Sequence, residues 1–189
     1  FKVHKKGDEY YYEIHPSQLN LEMLMVTRIA KTINGIGYGG QKINSQVLRW
    51  QKKNNQILLR IVSYENIASD SLPIYESVRN SNFEPILYAF EIETHNPEDS
   101  SVLINVSPLF NTDVKALGFP QFRRKSLKIT SLDKKRSFIE SIKSFPTNIE
   151  VRNVLTYIST DPPSTRNSQT ISLEVNNSMI LLPNDKMQP

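Results

Sequence analysis

Residues 86 to 93 alternate in character. Ile86, Tyr88, Phe90 and Ile92 are apolar, whereas Leu87, Ala89, Glu91 and Glu93 become polar toward the far end. A period of two places the two sets on opposite sides of an extended backbone. One face must therefore be buried and the other wet, as in an antiparallel sheet. The turn-forming run His95-Asn-Pro-Glu-Asp-Ser-Ser101 follows, and Val102, Ile104 and Val106 resume the alternation, so 86–107 reads as a hairpin.

Other segments obey the same rule. Phe1–Lys5 and Glu9–Ile14 flank the turn Lys6-Gly7-Asp8, with Tyr10, Tyr12 and Ile14 on one face and Tyr11, Glu13 and His15 on the other. Glu22–Ile29 is apolar without alternation, as expected of a strand covered on both faces. Gln46–Trp50, Gln56–Tyr64, Ile149–Ser159 and Thr170–Leu182 complete the set, the last with Ile171, Leu173 and Val175 on one side. Helical signals are few. Phe138, Ile142 and Phe145 recur at i, i+4 and i+7 and predict a helix over 131–145, stopped by Pro146. Asp70 or Ser71 as cap and Pro73 in a first turn predict a short helix near 72–80. Ser107-Pro108 can open another through Phe110. The expected fold is mainly β, a β-rich α+β domain. Its antiparallel sheets pack in a sandwich-like arrangement, with the 131–145 helix as a cover. Residues 1–182 form the expected single domain, and 183–189 read as the start of a linker.

Four of the six glycines fall in Asn34-Gly-Ile-Gly-Tyr-Gly-Gly40, which spells G-x-G-x-x-G. The dinucleotide fingerprint needs a helix to open at these glycines and an acidic residue about 20 positions on. Here a strand pattern follows and the next acidic residue is Glu65. The run reads as a loop or bulge that uses positive φ.

The 189 residues carry a formal net charge of +4, spread along the chain. The densest basic stretch, Arg123-Arg-Lys125 with Lys128 and then Lys134-Lys-Arg136, lacks interleaved aromatics and reads as a solvated face, so no nucleic-acid partner is expected. With no cysteine, disulfides, thiolate catalysis and cysteine-ligated zinc are excluded. No apolar run approaches the ~18 residues of a membrane-spanning helix. The chain opens at Phe1 without an initiator methionine and reads as an excised piece of a longer protein.

Catalytic patterns are sparse. His4, His15 and His95 have no helical i, i+4 spacing; His4 and His15 could face each other across the first hairpin but lack a third ligand. No G-x-S-x-G elbow or phosphate loop occurs. Glu91 and Glu93 share a strand face, a pairing that could serve a glycosidase but is ordinarily the wet side of a sheet. Tyr10, Tyr11, Tyr12 and Trp50 could stack on sugars, or simply pack across strands.

Two long stretches, Gly37-Tyr-Gly-Gly-Gln-Lys-Ile-Asn-Ser-Gln-Val-Leu-Arg-Trp50 and Asp70-Ser-Leu-Pro-Ile-Tyr-Glu-Ser-Val-Arg-Asn-Ser-Asn-Phe-Glu-Pro-Ile86, carry a resemblance. With Ser137–Ser144 and Ile149–Arg152, they resemble an uncharacterised N-terminal domain of large bacterial zinc-dependent metalloproteases, in which a metzincin-like catalytic domain follows. The resemblance implies a secreted, periplasmic or outer-membrane-associated parent with its zinc in a downstream domain. This chain would then hold no cofactor and no catalytic or metal-ligating residue. The expected function is a non-catalytic accessory domain that packs on the protease domain of the same chain or on its peptide or protein substrate. Arg79, Asn80, Asn82 and Glu84, in the loop Leu72–Pro85, are the expected contact residues. The alternatives are a stand-alone glycan- or peptide-binding β module and, last, independent hydrolysis through Glu91 and Glu93.

Overall fold

The computed structural model describes residues 1–164 and 167–183. The middle of the expected 161–168 loop and the expected linker beyond Pro183 lie outside the described residues. Eleven strands form one antiparallel sheet. They are β1 (Lys2–Lys6), β2 (Glu9–Ile14), β3 (Glu22–Lys31), β4 (Lys42–Lys53), β5 (Gln56–Val62), β6 (Ile86–His95), β7 (Val102–Asn105), β8 (Ile129–Leu132), β9 (Phe138–Ser144), β10 (Asn148–Ser159) and β11 (Thr170–Leu181). The spatial order is β1-β2-β7-β6-β5-β4-β3-β11-β10-β8, with β9 beside β8 on the same flank of β10. Three short helices interrupt the strands: α1 (Tyr75–Ser81), α2 (Ser107–Asn111) and α3 (Gln121–Ser126).

A sheet this wide must coil because each strand twists against the next. The coil brings β1 and β2 at one end over β9 and β10 at the other, so a single sheet supplies both layers of a sandwich-like core. The inner residues of β2 and β4–β7 meet those of β3 and β9–β11 in one cluster, with Leu109 and Phe110 of α2 packed among them. Trp50, fully buried, is its centre; Phe1, Tyr12 and Phe90 surround it with ring centroids 5.6–6.1 Å away. Each aliphatic or aromatic side chain so buried contributes about 1.5–3 kcal/mol. A second apolar cluster lies further along the same inner face, built on Ile29, Phe119, Leu155, Tyr157, Ile171, Leu173 and Val175.

A polar layer separates the two clusters. On β3 the inward series runs Met23, Met25, Thr27, Ile29; on β10 it runs Val151, Asn153, Leu155; on β11 it runs Val175, Asn177, Met179. Thr27 donates to Asn177 Oδ1 (2.6 Å), Asn177 donates to Asn153 Oδ1 (2.9 Å), and Asn153 donates to the Phe110 carbonyl (2.7 Å). Each buried amide thus finds partners, which offsets the cost of removing it from water.

The expected helix over 131–145 does not form. That span holds the end of β8, a single 3-10 turn at Lys134–Arg136, and β9. The cause is a bulge. Asn153 pairs with Ile139 and Arg152 with Ser141, which leaves Glu140 extra. The bulge moves the next inward residue from 141 to 142, so Ile139 and Ile142 face the core, whereas Phe138 and Phe145, the other members of the expected stripe, are exposed. The glycine run forms the β3–β4 connection, as expected. Gly40 has φ +90°, and a side chain on Gly37 would collide with Gln41 and Ile29.

Candidate functional site

Between β5 and β6 the chain leaves the sheet for residues 63–85, the excursion that carries the expected contact residues. Two arginines on the outer sheet face pin it. Arg49 on β4 donates to Glu84 Oε1 and Glu22 Oε1, both at 2.7 Å. Arg60 on β5 donates to the Glu84 carbonyl and to Gln51 Oε1, again at 2.7 Å, and stacks over Phe83 at 5.0 Å. Tyr64 adds a hydrogen bond to Glu22. Glu84 is therefore an anchor, and Asn82 is another, donating to the Asn66 carbonyl. Arg79 and Asn80 point to solvent; Arg79 makes a loose 3.8 Å contact with Glu76 and lies 5.9 Å from the Tyr75 ring. The four residues form two anchors and two free side chains rather than one cluster.

The more informative feature is apolar. Tyr64, Ile67, Leu72, Ile74, Phe83 and Ile86 are all exposed, Ile67 and Phe83 at 76%. They are six of the eleven exposed large hydrophobics, gathered within 23 residues of chain, so their exposure is a local property of this excursion. Its helix α1 has no buried residue and no side-chain cap. Ile67, Leu72 and Ile74 lack the regular spacing of a strand or helix face, so sequence periodicity gave no sign that they stay exposed together.

A second concavity of about 490 Å³ lies on the outer face of β1, β2, β7 and β6, lined by His4, Tyr11, Glu13, Glu93, Asn96 and Ser101 among others. Glu13 is its hub, accepting from Lys2 Nζ and bonded to His4 Nε2, each at 2.7 Å, with Ser101 Oγ at 3.4 Å. The Lys2 ammonium and the His4 ring, both hydrogen-bonded to it, hold its carboxyl below the usual carboxylate range. The arrangement is an ion-pair network. Ser101 and His4 both address the carboxylate and not each other, so the serine gains no base.

The remaining candidates separate. His4 stands opposite Tyr11, whereas His15 caps the 3-10 turn at Pro16–Gln18, so the two histidines do not face each other. Glu91 accepts from Gln56, while Glu93 is the bulged residue of β6 and lines the outer cleft. Tyr10, Tyr12 and Trp50 are buried in the core; of these rings only Tyr11 reaches the cleft. Arg124, expected on a solvated face, is instead buried. Its guanidinium makes a two-pronged pair with Asp113, donates to the Phe119 carbonyl at 2.9 Å and lies 5.2 Å from the Tyr157 ring. Among the described residues, no three histidine, aspartate or glutamate side chains are grouped to hold a metal, and no helix is long and apolar enough to cross a membrane.

Residues 40–189 match the family model described as Domain of unknown function (DUF5117), and residues 1–32 match that described as Domain of unknown function (DUF5118). No curated protein matches the chain, and no solved structure does. The two matched segments are separated by residues 33–39 of the β3–β4 loop yet share one sheet: β2 pairs with β7, and β3 lies between β4 and β11. With most of its length matched by the first model, the chain belongs to the DUF5117 family.

Proposed function

We propose that this DUF5117 domain is a non-catalytic accessory module that docks, through residues 63–86, on a folded neighbouring domain of its parent protein. The observation that carries the reading is α1 with its flanks. A helix of seven residues is marginal in water without tertiary packing. Here it buries nothing of its own, and its flanks turn Ile67, Leu72, Ile74 and Phe83 outward. A concentration of exposed apolar side chains in one short excursion points to an interaction surface. The Arg49–Glu84 and Arg60 contacts hold the base of the excursion on a rigid sheet, so docking would order only its tip.

By the resemblance of the sequence, the neighbour is a metzincin-like zinc protease domain in a secreted, periplasmic or outer-membrane-associated protein. Docking there would shape or shield the substrate cleft, with the zinc and its ligands in the neighbour. The test is Ile67→Asp combined with Ile74→Asp in the full-length parent, beside Arg79→Ala combined with Asn80→Ala. Apolar anchors at an interface centre are worth about 2 kcal/mol or more. The acidic pair should therefore loosen the domain junction to limited proteolysis and change peptide hydrolysis, with the melting of the 189-residue chain unaffected. The alanine pair should do much less. A parent whose junction and hydrolysis are indifferent to the acidic pair would refute the proposal.

A further inference from the structure

The coiled sheet does not close. Its two ends, β1 and β9, come together at one point, where Ser144 Oγ donates to the Phe1 carbonyl at 2.6 Å. Among the described residues β1 pairs only with β2 and β9 only with β10, so each carries an edge without a backbone partner. From that contact a groove of about 720 Å³ runs between them, along Phe1, Val3 and Tyr10 on one wall and Ile142, Phe145 and Pro146 on the other. An unpaired edge offers a row of N–H and C=O groups to any extended chain. Beyond the contact, an open edge beside these apolar side chains offers a seat where an extended chain could add to the sheet.

We propose that this groove binds an extended peptide segment that alternates apolar and acidic residues and adds a strand to the sheet. The apolar floor would take alternate side chains, since every second residue of a strand points the same way. Charge selects the remainder. Lys5 borders the groove beside Lys2, which is also paired with Glu13; Lys6 ends β1, and Lys143 is exposed on β9, which also carries one exposed acid, Glu140. Lysines on an edge oppose pairing with a like edge. A second copy of the chain, presenting β1 to β1, would set these lysines against one another, whereas an acidic strand would meet them favourably. The groove is separate from the 63–86 surface, so either proposal can fail alone.

The probe is a capped peptide of about seven residues, a strand's length, alternating valine and glutamate. A valine–lysine peptide and a valine–glutamate peptide with a central proline serve as comparisons. Each is titrated against the 189-residue chain by fluorescence anisotropy, with amide hydrogen exchange read at residues 2–6 and 138–144. The valine–glutamate peptide should bind saturably and slow exchange in both segments, and the proline peptide should not. Lys5→Glu with Lys143→Glu, both at exposed positions, should weaken binding about tenfold or more. Absence of saturable binding would overturn the proposal. So would equal binding of the lysine peptide, or protection confined to other segments. Protection that rises with protein concentration alone would show self-pairing, and that too would overturn it.

Discussion

Glu13 takes the Lys2 ammonium and the His4 ring on its two carboxylate oxygens, and this sets a pH signature. The folded-state carboxyl titrates below its ordinary value, so its contribution is fully present above the unfolded value, about pH 4.5. It is lost as the pH falls through the lowered folded value. Lys2 is largely exposed, so solvent screens the pair and keeps the gain small. We expect the urea midpoint of Glu13→Gln protein to fall less steeply than that of the unsubstituted chain between pH 5 and pH 3, on the order of the carboxylate range. Some acid sensitivity should remain, because Asp99 and Asp133 are held low in the same way, by bonds to Ser101 and Arg136. Superimposable pH profiles would contradict the assignment of Glu13 as hub. At this scale the strand alternation was a reliable guide. Placing Tyr10, Tyr12 and Ile14 on one face and Tyr11 and Glu13 on the other separates core from cleft correctly. What alternation could not convey is which strand stands opposite, and hence that Lys2, His4 and Glu13 converge.

Elements depart from the sequence expectation where pairing breaks the simple period. The strands over 86–95 and 170–181 were legible because their alternation runs unbroken or nearly so. β9 was not, because the bulge at Glu140 breaks the period of two and the exposed Phe138 and Phe145 complete a helix-like spacing with the buried Ile142. The 63–85 excursion was legible only as a loop with a short helix, and its exposed apolar set depends on the anchors Arg49 and Arg60, which lie on other strands. The polar layer is likewise an effect of three strands at once. Asn177→Ala would leave Thr27 Oγ1 and Asn153 Oδ1 facing a void between the two apolar clusters. Unsatisfied buried polar groups cost about 1–3 kcal/mol each, so we expect the variant to lose about 2–4 kcal/mol in denaturant unfolding. A change inside ~0.5 kcal/mol, the range typical of surface substitutions, would show that the layer is incidental.

At the scale of the whole molecule, strands matched by two families complete one sheet and one core, and more than half of the exposed large hydrophobics among the described residues fall in the excursion outside it or at its junction with β6. Phe83 rests on Arg60 and Tyr64 is tied to Glu22, whereas Ile67, Leu72 and Ile74 are left exposed by the excursion. A partner surface is the account's central claim. Amide hydrogen exchange on the full-length parent, compared with the 189-residue chain alone, tests it most directly. Residues 67–83 should exchange rapidly in the isolated chain and be protected in the parent, while β10 and β11 should be equally protected in both. Equal, rapid exchange of residues 67–83 in the two proteins would contradict the docking account.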